Sequence, residues 1–169
     1  MRLTLPLVLH IREAEDDGLA LLEEVGLPGD WPVHRHCFTE DWSAASVWLK
    51  RFPGSKLGVT AAVTDPRSAR VHDWVRQVAL ENILLETDAP YFLPYGERRE
   101  VALPGDVAHV AAQVAVLKGA TMEEVLEKNL ASVHQVYGVK PVLDDEGISR
   151  LNKQDFTIEV VKAKFQTVF

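Results

Sequence analysis

Short apolar runs alternate with helical periods along most of this chain. Residues 5–11, Leu-Pro-Leu-Val-Leu-His-Ile, form the first run. A helical stretch follows to about Val25, with Ala14, Leu21, Leu22 and Val25 on one face, before Gly26 and Pro28-Gly29 turn the chain. Residues 32–38 predict a second strand. The helix after it repeats Ala45, Trp48, Leu49 and Phe52 at i, i+3, i+4 and i+7, and Pro53-Gly54 ends it. Residues 56–61 predict a third strand, and its helix carries Val71, Trp74, Val75 and Val78 at the same spacing. Residues 82–87 predict a fourth, with Asp88 just past its end.

The four runs start at Leu5, Pro32, Lys56 and Asn82, roughly one βα unit apart. That alternation predicts a parallel sheet covered by helices. It does not separate a closed barrel from an open doubly wound sheet. A loop over residues 89–105 follows, then a helical pattern from about Asp106 to Lys118. A last helix opens on Thr121-Met-Glu-Glu124, a capping box, and runs to Tyr137 before Gly138. Residues 1–138 are therefore expected to form one unit of fold, and residues 139–169 an appended, mixed polar tail with Pro141 and the acidic run 144–146 and no evident structure.

Composition narrows the class. The 169 residues are 47% hydrophobic and 25% charged, ordinary for a globular protein. A net charge of -7 argues against a broadly basic nucleic-acid coat, so a polyanion has to be met by a local patch or through bound cations. The single cysteine, Cys37, excludes an internal disulfide framework and fits a reducing compartment. The apolar start is broken by His10, Arg12 and Glu13 with no small-x-small cleavage pattern, so a buried strand is expected there and not a secretory signal. No run is long enough to span a bilayer. The expected location is cytoplasmic, with the nucleus as the alternative.

Ligands bind at the carboxyl ends of strands in both kinds of α/β sheet. Three such ends carry metal-capable groups: His10 on the first strand, His36 on the second and Asp88 on the fourth. A lone strand histidine is more often hydrogen-bonded structure, and an aspartate after a strand is often a cap. Two imidazoles and a carboxylate together suit a divalent cation. His34 shares the face of His36 by the period of two and can also reach the site, while Arg35 and Cys37 are assigned to the opposite face. Cys37 reads as a small buried side chain. His72, His109 and His134 read as solvated or structural. Glu86 shares the face of Asp88 and can hold a ligand or a water in place. Arg98 and Arg99 read as solvated loop arginines.

These residues resemble the TatD-type metal-dependent deoxyribonucleases, an amidohydrolase-like group of TIM barrels. The resemblance lies in residues 5–14 (Leu-Pro-Leu-Val-Leu-His-Ile-Arg-Glu-Ala), in His36-Cys-Phe-Thr39, and above all in Leu84-Leu-Glu-Thr-Asp-Ala-Pro-Tyr91. It covers about residues 3–138. It implies a TIM-barrel type of fold, here incomplete: four parallel βα units of the second half plus C-terminal helices. It implies that His10, His36 and Asp88 ligate a divalent metal, Mg²⁺ first with Mn²⁺ or Zn²⁺ as alternatives, and that Asp88 is catalytic. Arg12 would lie at the substrate mouth, with Glu86 behind the ligands. The implied reaction is hydrolysis of DNA phosphodiester bonds through a metal-activated water.

Two departures stand against the family pattern. The His-x-His strand and the glutamate-bearing strand of the family have no counterpart, and Glu40 replaces a usual glycine. A closed barrel needs eight strands and about 250 residues. The chain is therefore expected to be a truncated, marginally folded and weak or inactive nuclease, with exposed strand edges and an exposed inner apolar row. The alternative is a non-catalytic half-barrel that binds a partner or self-associates through its open edge. An open flavodoxin-like sheet binding a small phosphate compound carries little weight, because no G-x-G-x-x-G or Walker pattern is present.

Overall fold

A computed structural model describes residues 5–139. Four strands form one parallel sheet in chain order: β1 (Leu7–Leu9), β2 (Val33–Arg35), β3 (Lys56–Val59) and β4 (Ile83–Leu85). They are joined by α1 (Glu15–Glu24), α2 (Trp42–Arg51) and, after a 3-10 turn at Ala61–Thr64, α3 (Ala69–Gln77). Two helices follow β4: α4 (Val107–Lys118) and α5 (Met122–Tyr137). The acidic-tail expectation falls almost wholly on residues outside those described.

The register sorts the two faces of the sheet. Leu7 lies beside Val33, Arg35 beside Leu57, Leu57 beside Ile83, and Val59 beside Leu85. This row faces the helices. It packs against Leu19 and Leu22 of α1, Ala45 and Trp48 of α2, Trp74 and Val75 of α3, and Val110 and Val114 of α4, in one continuous core. The other row runs through Val8, His34, Lys56, Gly58 and Leu84. The helical spacing of α2 and α3 is why Trp48 and Trp74 are fully buried.

Three expectations are corrected here. On α1 the buried residues are Leu19 and Leu22, while Leu21 and Val25 face solvent. Leu21 and Val25 form an i, i+4 apolar pair of their own, but the face turned to the sheet is the i, i+3 pair Leu19 and Leu22. The strands are also shorter than predicted, because the backbone leaves the ladder early. Cys37 takes φ 48°, which breaks the extended run of β2, and Asp88, just past the predicted fourth strand, takes φ 55°. Finally, the inner row is not an exposed apolar strip. Val8 is half exposed, but His34, Lys56 and Leu84 are buried.

The last helix explains part of that cover. Its start is fixed by the predicted box: Glu124 N–H donates to Thr121 Oγ1 (3.1 Å), and Thr121 N–H to Glu124 Oε2 (2.7 Å). Gly138, at φ 67°, ends it. Between these ends α5 runs along the outer edge of β4. Leu85 N–H donates to Asn129 Oδ1 (2.8 Å), and Ser132 Oγ donates to Glu81 O (2.9 Å). A strand amide left open by the sheet thus finds a side-chain acceptor. No helix among the described residues is long and apolar enough to cross a membrane.

Candidate metal centre

The β1–α1 connection, which carries His10 and Arg12, is held by a buried arginine. Arg35 points from β2 into the helix layer and pairs with Glu15. Its Nη1 donates to Leu9 O and its Nη2 to Ile11 O, at 3.1 and 2.6 Å. Trp48 Nε1 donates to Glu15 Oε2 (2.5 Å), and the guanidinium lies over the Phe38 and Trp48 rings. Every charge in this cluster has a partner, which is the condition for burying it. The carbonyls on either side of His10 are therefore fixed to β2. Arg12 stands exposed in the bend two residues beyond His10.

His36 lies between two carboxylates. Its Nδ1 is 2.7 Å from Glu86 Oε2 and its Nε2 is 3.2 Å from Asp88 Oδ1. The His10 ring lies beside it, with centroids 5.3 Å apart. The structure thus brings His10, His36, Glu86 and Asp88 to one end of the sheet. Glu86 also accepts from Cys37 N–H (2.5 Å). Burial alone would raise the Glu86 carboxyl, but the contacts from His34 and His36 and the Cys37 amide outweigh it and hold the group below the usual carboxylate value.

His34 is buried one strand period below His36. Its Nε2 lies 3.2 Å from Glu86 Oε2, and its Nδ1 lies 2.5 Å from the Tyr137 hydroxyl. Among the described residues, the group whose donor atoms all lie within 4.8 Å of one another is His34, His36 and Glu86, which could hold an ion; His10 and Asp88 fall outside that group. Gly58 makes room for the group. A Cβ there would come 2.1 Å from Glu86 Oε1 and 2.8 Å from His34 Nε2.

Cys37 does not follow Arg35 to the helix side. Strand alternation ends before it, and its thiol is set against Thr60 and Asp88. Burial, then the charges of Asp88 and Glu86, push it up to about 11, so it is a neutral thiol near pH 7 and a poor nucleophile. His72 is structural, its Nε2 2.8 Å from Val63 O. Arg99 is also not a solvated loop residue, because it pairs with buried Asp106. Glu40 lies 3.6 Å from Arg70.

Two surfaces flank the centre. A cleft of about 570 Å³ is lined by Glu13, Glu15, Asp16, Asp17, Glu40 and Asp41. Its carboxylates make it unfavourable for an anionic ligand. The loop after Asp88 instead exposes Tyr91, Phe92 and Tyr95. Sequence reasoning missed the roles of Gly58 and Tyr137. A glycine within a strand signals close approach, whereas nothing in a helix-terminal tyrosine announces a partner 103 residues away.

Known proteins resemble this chain in sequence and in fold. A family model described as TatD related DNase matches residues 1–138. The human "3'-5' RNA nuclease TATDN2" is 36% identical over 133 residues, which are 77% of this chain and 17% of that protein. The "uncharacterized metal-dependent hydrolase YcfH" of Escherichia coli is 36% identical over 122 residues, 72% of this chain and 45% of the other. Among solved structures, the TatD homologue YjjV of Escherichia coli superposes with a TM-score of 0.71 at 27% identity, over 79% of this chain and 50% of that one. The chain spans about half the length of YcfH and YjjV, and less of the human protein. By its sequence and its four-stranded parallel sheet, this chain belongs to the TatD related DNase family.

Proposed function

We propose that this chain supplies a divalent-metal centre for phosphodiester hydrolysis, with His10, His36 and Asp88 as the protein ligands and DNA as the substrate. One observation carries the reading: His36 is held between Glu86 and Asp88. Glu86 is an acceptor, so His36 Nδ1 keeps its proton and donates it there. His36 Nε2 then presents a lone pair to Asp88 Oδ1 at 3.2 Å, with the second imidazole alongside. Two electron-pair donors face one another, which is repulsive unless a cation or a proton comes between them. The donor set, two nitrogens and one carboxylate oxygen, suits Zn²⁺ or Mn²⁺ as well as Mg²⁺.

The same proton logic selects the side of His36 on which an ion belongs. On the His34–Glu86 side the ring already donates a hydrogen bond, so an ion there would have to displace it. On the Asp88 side no proton stands in the way. Carboxylate-to-histidine hydrogen bonds of this kind orient the ring and raise its basicity.

When bound, a divalent ion supplies Lewis-acid charge at the phosphoryl group and makes a nearby water more acidic. The residues of this chain do the rest. Asp88 and His36 fix the position at which that chemistry happens, and Glu86 holds His36 still. Arg12, exposed two residues beyond His10, would meet a phosphate. Tyr91, Phe92 and Tyr95 offer faces on which unpaired bases can stack. Strand choice between DNA and RNA would follow contacts to the sugar 2′ position.

The test is degradation of matched single-stranded DNA and RNA oligonucleotides in Mg²⁺ or Mn²⁺. The expected result is slow, chelator-sensitive hydrolysis of DNA that is lost in Asp88→Ala. Cleavage that persists in chelator, or none of either strand, contradicts the reading.

A further inference from the structure

We propose that His34 and Tyr137 are positioning residues, forming a chain of contacts Tyr137–His34–Glu86 that fixes the carboxylate which in turn orients His36. Its consequence for metal binding rests on the reading above, but the chain of contacts does not.

The protons can be placed from the partners alone. His34 Nε2 is buried and lies 3.2 Å from Glu86 Oε2. At that distance it does not make a hydrogen bond of regular geometry. A neutral ring with its proton on Nδ1 would set a bare lone pair against the carboxylate at that distance. The proton therefore belongs on Nε2, which leaves Nδ1 as an acceptor. Tyr137 Oη, 2.5 Å away, is the donor to it. Glu86 then accepts hydrogen bonds from His36 and the Cys37 amide and meets the His34 Nε2–H as a polar contact, and no pair of acceptors is left opposed on that side.

The alternative is that His34 and Tyr137 merely fill space. Two features argue otherwise. Filling a sheet face with polar groups is costlier than filling it with leucine and phenylalanine unless their hydrogen bonds are used. Gly58 also leaves a gap on the neighbouring strand into which Glu86 and His34 both reach, a gap that an ordinary β residue would close. The partners come from β2, from the end of β4 and from the last residue of α5. The helix that caps the β4 edge therefore also sets the carboxylate behind the candidate ligands.

The test uses the whole 169-residue chain. Tyr137→Phe removes only the hydroxyl of a partly exposed ring, and thermal unfolding checks that the fold is kept. Histidine ¹⁵N NMR without metal reads the His34 tautomer, and calorimetric titration with Mn²⁺ reads affinity. The expected result is a single Nε2–H tautomer in the wild type and, because Glu86 still holds that proton, in Tyr137→Phe too, whose His34 Nδ1 resonance shifts as it loses the Tyr137 donor. Mn²⁺ affinity should fall about 2- to 10-fold at unchanged melting temperature, as expected for one hydrogen bond. His34→Gln, which retains one donor and one acceptor, should keep more Mn²⁺ affinity than His34→Leu. An Nδ1–H tautomer in the wild type, or a His34 Nδ1 resonance unchanged in Tyr137→Phe, overturns the proposal, and so does equal Mn²⁺ affinity in the Gln and Leu variants. Should the wild type bind no Mn²⁺, the metal reading fails, and the NMR comparison alone decides the chain of contacts.

Discussion

Glu86 Oε2 lies 2.7 Å from His36 Nδ1, and that one bond fixes which nitrogen of His36 is free to bind a cation. The relation predicts the effect of Glu86→Gln. The amide is nearly isosteric but uncharged, so it loses both the negative charge and one acceptor oxygen. Metal affinity is expected to fall about 10- to 100-fold, the usual cost of removing such a partner. Titration calorimetry with Mn²⁺ checks it, and an unchanged affinity would show that Glu86 does not serve His36.

Gly58→Ala should be among the most damaging small substitutions in the sheet. The added methyl would sit 2.1 Å from Glu86 Oε1, against an anchored carboxylate. The expected cost is about 1–3 kcal/mol of stability by overpacking, read by urea denaturation, together with weakened metal uptake. Normal stability and normal uptake would mean the carboxylate moves freely.

Glu15→Gln should loosen the β1–α1 connection. Arg35 would keep its carbonyl partners but lose its counter-charge in a buried site. A loss of about 3 kcal/mol is expected from leaving that charge unpaired. Thermal melting reads the loss, and hydrogen exchange reads the predicted opening near residues 9–12.

Most of the fold was legible because its signals are periodic. Trp48 and Trp74 lie on helical stripes that predict burial, and the capping box at Thr121 marks the start of α5 to the residue. The α1 face was misread because Leu21 and Val25 mimic the stripe that Leu19 and Leu22 occupy. The site was legible where alternation persists, which is why His34 and His36 were placed on one face. It failed at Cys37, where a positive φ redirects the side chain and leaves no mark in a single sequence. The Tyr137–His34 contact is long-range, and local pattern carries no information about it.

Asp106 predicts a pH dependence away from the centre. Burial would raise its carboxyl, but the Arg99 guanidinium and the Leu103 N–H outweigh burial and hold it below the ordinary value. A lowered folded value means that this stabilisation is present above the unfolded value of about 3.9 and lost as pH falls through the folded one. Asp106→Asn should therefore be less stable than wild type at pH 7, with the gap closing below about pH 4. A constant gap from pH 7 to 3 would refute the ionic origin.

Calorimetric titration of Mn²⁺ into the wild type and Asp88→Asn tests the metal assignment most directly, because Asp88 Oδ1 and His36 Nε2 face each other across the expected ion position at 3.2 Å. One ion per chain is predicted for the wild type, with affinity in Asp88→Asn weakened by at least about tenfold, since an amide oxygen replaces a charged ligand. Equal binding by the two proteins, or no binding by the wild type, would contradict it.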